Sequence, residues 1–138
     1  DTRGWRLRQH KINSWGTDQD WPGTADAIVD ASLETAIVSN TLNDRASFGI
    51  SNQPVPVGVV VDRVVLQTYA QRGPSGLASF NHYFKYAGGP PTDVDDADIA
   101  LSENLDMYID EYPTSPNTGL AWTDTELNDL QFGVRART

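Results

Sequence analysis

The sequence predicts an all-β domain, a jelly-roll-like β-sandwich of about eight strands with one short helix near the C-terminus. Three observations lead there. Short runs of β-branched and aromatic residues recur between turns rich in Gly, Pro and Asn. The clearest of these runs alternate apolar with polar residues, the period of a half-buried strand. The one firm helix signal is short and late, around 123–130. At 138 residues the chain is long enough for one domain with a sizeable core. The expected division is an N-terminal strand or docking arm over 1–13 and a jelly-roll β-sandwich over 14–138.

Trp5, Leu7 and Ile12 do not share one two-residue register, so 5–12 reads as a first strand or an extended arm with an irregular exit. Residues 13–24 are turn-rich through Gly16, Pro22 and Gly23, which places Trp15 and Trp21 in a loop. The stretch 25–38 suits a helix by its alanines, but its β-branched pairs favour a strand near 33–38. Asn43-Asp44 turns the chain into a strand over 45–50. Pro54 and Pro56 exclude a central strand at 51–57, because neither can donate to a ladder.

Residues 58–71 carry the strongest strand signal, with Val64, Leu66, Thr68 and Ala70 on one face and Val65, Gln67, Tyr69 and Gln71 on the other. Residues 77–87 alternate Phe80, His82, Phe84 and Tyr86 against Asn81, Tyr83 and Lys85. Gly88-Gly-Pro-Pro91 stops that strand. An acidic loop follows over 92–98, then a short edge at 99–102. A strand over 105–112 is expected to turn Leu105, Met107 and Ile109 inward and Asp106 and Asp110 outward. Thr123 and Glu126 have the spacing of a capping box. Leu127 and Leu130 share a helix face, Gly133 stops the helix, and a last strand runs from Phe132 through Ala136.

Composition narrows the function. There is no cysteine, which excludes disulfides and thiolate metal sites. The net charge of -9 disfavours contact with nucleic-acid backbone or anionic membrane. No run approaches the ~20 apolar residues of a membrane helix, and no basic start followed by an apolar stretch reads as a signal peptide. Arg3, Arg6 and Arg8 at one end and Arg135 and Arg137 at the other would form a local basic strip if the end strands lie side by side.

Chemical motifs are sparse. His10 and His82 sit in no ligand cluster, so zinc is not expected, and His82 between Phe80 and Phe84 reads as structural. Asp93, Asp95, Asp96 and Asp98 are weak Ca²⁺ candidates that lack the loop's central glycine and closing glutamate. Asp18 and Asp20 are weaker still. Asp106, Asp110 and Glu111 could serve as paired carboxylates, but an ordinary polar face explains them more simply. Gly-x-Ser-x-Gly is absent. The expectation is a protein that is not an enzyme and has no cofactor.

The segment Thr118-Gly-Leu-Ala-Trp122-Thr-x-x-Glu126-Leu-Asn-x-Leu130-x-x-Gly133-Val resembles the C-terminal signature of small structural proteins of tailed bacteriophages and related archaeal viruses. Tyr112-Pro113-Thr-Ser-Pro-Asn117 before it, the strand Val64–Arg72 and the Asp20-Trp-Pro22 loop also fit that family. The likeness covers about residues 14–137 and is most specific over 117–134; the Arg-rich start from Trp5 to Lys11 departs from it. The resemblance implies a jelly-roll virion component, foremost a capsid decoration protein on the head surface, acting as a homo-oligomer. Its partners would be the major capsid protein or other virion proteins, with no direct nucleic acid and no membrane. Trp5, Arg6, Arg8, Trp15 and Trp21 are the candidate contacts, since Trp and Arg commonly anchor interfaces. The alternatives are a neck or tail adaptor, or a carbohydrate-binding module using Trp15, Trp21, Tyr83 and Tyr86 as stacking platforms.

Overall fold

The computed structural model describes residues 14–21, 37–49, 54–73, 77–86 and 93–138. Among them are eight strands in two sheets and one short helix. The strands are β1 (Ser14–Gln19), β2 (Arg45–Gly49), β3 (Val64–Ala70), β4 (Ser79–Lys85), β5 (Asp93–Asp95), β6 (Ile99–Ala100), β7 (Asp106–Tyr112) and β8 (Gln131–Arg137), with α1 (Asp124–Asp129) between the last two. The larger sheet has the order β1-β2-β8-β4-β5, with β6 also on β4; β3 and β7 form a separate antiparallel pair. The arrangement is sandwich-like, because side chains of β4 meet those of β3 and β7 face to face.

Matched side-chain patterns hold the layers together. On β4, Phe80, His82 and Phe84 point at the β3–β7 pair; on β7, Tyr108, Asp110 and Tyr112 point back. Phe80 meets Tyr108 edge-on at 5.5 Å between ring centres, and Phe84 meets Tyr112 at 4.7 Å. Val55, Trp122, Leu127, Leu130 and Phe132 complete the core at the end closed by α1. β3 alternates as expected, with Val64, Leu66, Thr68 and Ala70 turned inward.

Several expectations need correction. β7 has the opposite phase to the one expected: Met107 and Ile109 are exposed, whereas Tyr108 and Asp110 are half-buried and Tyr112 is buried. Aromatic bulk and a partner for Asp110 outweigh the hydropathy of Met and Ile. Residues 14–19 form a strand rather than a loop, pairing Trp15 with Phe48. β3 starts at Val64, not near 58, and the chain before it is tied to α1 at Val55 and Gly58. The Asn128 side chain accepts from the Val55 amide at 2.7 Å and donates to its carbonyl at 2.9 Å, while Asp124 accepts from Gly58 at 3.1 Å. Part of the expected acidic loop is β5. Residues 37–40 are not strand; 33–36 lie outside the described residues.

The C-terminal segment is a lock of several parts. Thr123 caps α1 by accepting from the Glu126 amide at 3.1 Å. The Glu126 carboxylate accepts from the buried Ser115 hydroxyl, and so ties the helix to the preceding loop. Only one bond of the expected capping box is therefore seen. Ser115 also accepts from Asn117 and Thr118, and Gly119 takes the left-handed conformation (φ 71°) that closes this loop. Gly133 does not stop the helix. Leu130 is the C-cap, and Gly133 is buried inside β8.

Candidate functional site

A polar relay of Thr68, His82 and Asp110 crosses between the sheets. His82 is 1% exposed. Its Nδ1 lies 2.6 Å from Asp110 Oδ2 and its Nε2 lies 2.6 Å from Thr68 Oγ1. A carboxylate only accepts, so Nδ1 carries the proton, and in neutral imidazole Nε2 then accepts from the Thr68 hydroxyl. The order hydroxyl, imidazole, carboxylate is that of an acyl-transfer triad. Here, however, Thr68 is turned toward the layer between the sheets and the imidazole is buried, with Phe80 edge-on to it at 5.1 Å between ring centres. The arrangement suits a cross-sheet clamp. His82→Leu should lower stability by about 2 kcal/mol, because Asp110 and Thr68 lose a buried partner. Urea unfolding checks this, and an unchanged midpoint would mean that the clamp contributes little.

The acidic residues weighed for Ca²⁺ are dispersed among internal partners. Asp93 pairs with Arg45 and Lys85; Asp95 with Arg45, Arg135 and the Asn81 amide; Asp98 with Arg137. Asp96 accepts from the Tyr112 hydroxyl at 2.7 Å. Asp18 accepts from Tyr83 and pairs with Lys85, while Asp20 accepts from the Arg45 amide. Among the described residues no group of three or more His, Asp or Glu is placed to hold a metal ion. The same pairs engage Arg135 and Arg137, so the C-terminal arginines do not form a free basic strip.

Together these pairs make a compensated ionic layer on the outer face of the large sheet. Tyr83 lies beneath it, fully buried, with the Arg45 guanidinium 5.3 Å from its ring centre. Burial foremost, then the Asp18 carboxylate, raises the Tyr83 phenol well above its usual range. Burial and Asp96 do the same to Tyr112. Burial also raises Tyr86. An open cleft of about 330 Å³ lies beside Asp95, Asp96, Glu111, Tyr112 and Pro113.

The candidate aromatic contacts mostly serve the fold. Trp15 is half-buried and stacks on Phe48 at 4.9 Å between ring centres. The Trp21 indole donates to the Asp44 carbonyl at 3.0 Å. Tyr83 is buried, and Tyr86 is half-buried against Ser115. These four do not form one sugar-stacking platform. Trp5, Arg6 and Arg8 lie outside the described residues.

The surface that sequence reasoning missed is the outer face of the β3–β7 pair. Val65 and Tyr69 on β3 and Met107 and Ile109 on β7 are 38%, 54%, 39% and 45% exposed, and Leu105 continues the strip at 39%. Tyr69 is directly opposite Met107, an apolar pair that joins the two strands, while Gln67 faces Ile109 and Glu111 faces Val65. An exposed apolar face of this kind is more informative than scattered exposed residues. Its signal in the sequence was that β7 is amphipathic in both phases.

No family model and no solved structure matches this chain. The chain is similar to the histidine biosynthesis bifunctional protein HisB of Xanthomonas euvesicatoria pv. vesicatoria (strain 85-10), with 29% identity over 119 residues, or 86% of this chain. HisB of Xanthomonas oryzae pv. oryzae (strain PXO99A) is similar at the same 29% identity over 119 residues. The chain spans 26% of the length of each of these curated relatives.

Proposed function

We propose that this chain is a non-enzymatic structural protein of a tailed virus, a decoration protein bound on the capsid surface. The observation that carries the reading is the apolar outer face of β3–β7, a docking surface set on a sandwich whose buried polar groups are largely spent on internal bonds. The C-terminal resemblance to virion proteins supports it. A jelly-roll path of the chain belongs to the same reading. Docking would bury area across boundaries between capsid subunits and so stabilise the shell by mass action. Several copies would gather around a symmetry axis, with the major capsid protein as partner. A neck or tail adaptor is the variant in which the same face meets a ring of portal or tail subunits.

The likeness to histidine biosynthesis proteins is confined to 26% of their length, and the Thr68–His82–Asp110 relay points inward, so neither carries a second reading. Cryo-imaging of head shells with and without the purified protein tests the proposal. Regular added density at symmetry axes is expected. Unchanged outer density would overturn decoration and move the proposal to the neck or tail.

A further inference from the structure

The geometry points to the outer face of β3–β7 as the side that docks, and to a protein surface with an apolar strip bordered by Lys and Arg as its occupant. This rests on the decoration reading and goes beyond it by assigning the face and the partner's chemistry.

The two outer faces of the molecule differ in kind. On the large sheet Asp18, Asp93 and Asp95 are met by Lys85, Arg45 and Arg135, so a partner there would have to break pairs already made. On the β3–β7 pair most of the outer side chains are apolar, Gln67 excepted, and the border carries a small acidic excess. Exposed Asp62, Glu103 and Glu111 border it, against exposed Arg63 and Arg72. Arg63 bridges Asp62 and Glu111 at one end, which leaves that end net negative. A chain of net charge -9 repels a second copy of itself across such a rim, whereas a basic rim attracts it.

Size points the same way. Strands of seven residues give a face about 23 Å long. Two strands about 4.8 Å apart leave it narrow, so the face offers only on the order of 300 Å². A stable two-protein interface needs about 800 Å² per partner. One copy therefore holds weakly through this face alone. Copies joined to one another as an oligomer hold a repeating shell strongly, because avidity multiplies linked weak sites by about 10²–10⁴. The occupant that fits is a repeated basic–apolar surface rather than a single second copy.

The test is co-sedimentation of the full chain with purified major-capsid shells. It uses wild type, the double variant Met107→Thr with Ile109→Thr, and the charge variant Glu111→Lys. Threonine keeps β propensity at both exposed positions, and circular dichroism and melting of each free variant confirm the fold. The double variant should lose shell affinity by about tenfold or more. Glu111→Lys should weaken binding too, and 0.5 M salt should weaken wild-type binding relative to 0.05 M. Wild-type sedimentation that neither substitution alters would overturn the assigned face and leave decoration standing. Failure of wild type to sediment would overturn decoration and this inference together. A dimer seen without shells, and dissolved by the double variant, would overturn the assigned partner in favour of a second copy.

Discussion

Trp122→Ala is expected to lower stability by about 4 kcal/mol, a large fraction of the 5–15 kcal/mol typical of a domain. Trp122 is 3% exposed and packs 5.6 Å, ring centre to ring centre, from Phe84. Its indole donates to the Tyr112 carbonyl at 2.8 Å, the last residue of β7. The side chain thus ties three elements: β4 through Phe84, β7 through Tyr112, and α1, whose cap Thr123 follows it directly. Truncation opens a cavity at the closed end of the core and leaves a carbonyl without its donor. Trp122→Phe separates the two effects, since it keeps most of the volume and removes only the donor; it should cost about 1–2 kcal/mol. Urea unfolding followed by far-ultraviolet circular dichroism gives both values. If alanine and phenylalanine cost the same, the cavity contributes nothing and this account of the core is wrong.

That residue also explains what the sequence reveals and what it hides. The segment 117–134 is the most specific stretch of the chain, and the structure gives many of its letters a local task. Gly119 turns, Trp122 plugs, Thr123 caps, Leu127 and Leu130 bury, and Asn128 holds Val55. The Thr123 cap and the Leu127–Leu130 face depend on one fixed spacing and are legible, whereas the hold of Asn128 on Val55 spans 73 residues and is not. The phase of β7 is not, because Leu105, Met107 and Ile109 compete with Tyr108 and Tyr112 for the same interior. The deciding fact lies on β4, whose Phe80–His82–Phe84 needs an aromatic–carboxylate–aromatic row opposite. Tyr108–Asp110–Tyr112 supplies it at the same two-residue spacing. Comparing the two strands, rather than scoring each alone, would have turned Met107 and Ile109 outward and shown the exposed apolar face. The pairing of the acidic run from Asp93 to Asp98 is hidden for a related reason: apart from Lys85, eight residues before Asp93, its cationic partners are far off in sequence, on β2 and β8.

Gly133→Ala is the second substitution with a large expected effect, and it acts by overfilling. Gly133 sits on the outer face of β8 directly opposite Tyr83 on β4 and Ser47 on β2. A methyl group there would overlap the Tyr83 ring and come within 2.8 Å of the Ala46 carbonyl oxygen. The ring cannot simply swing away. It is covered by the Arg45 guanidinium, and its hydroxyl donates to Asp18 at 2.7 Å. Displacing it unpicks the ionic layer that binds β1, β2, β4 and β5. Alanine suits a strand better than glycine by about 0.5–1 kcal/mol, but overpacking of a fixed ring costs about 1–3 kcal/mol, and more where neighbours are locked. The net expectation is a loss of about 2–3 kcal/mol. Tyr83→Ser in the same chain makes room for the methyl group, so the double variant should lose less than the two single losses added together. Equilibrium unfolding of the four proteins in this cycle measures the coupling. Additive losses would show that Gly133 and Tyr83 do not share the space, and would place the reason for this glycine in the backbone rather than in the close approach of a ring.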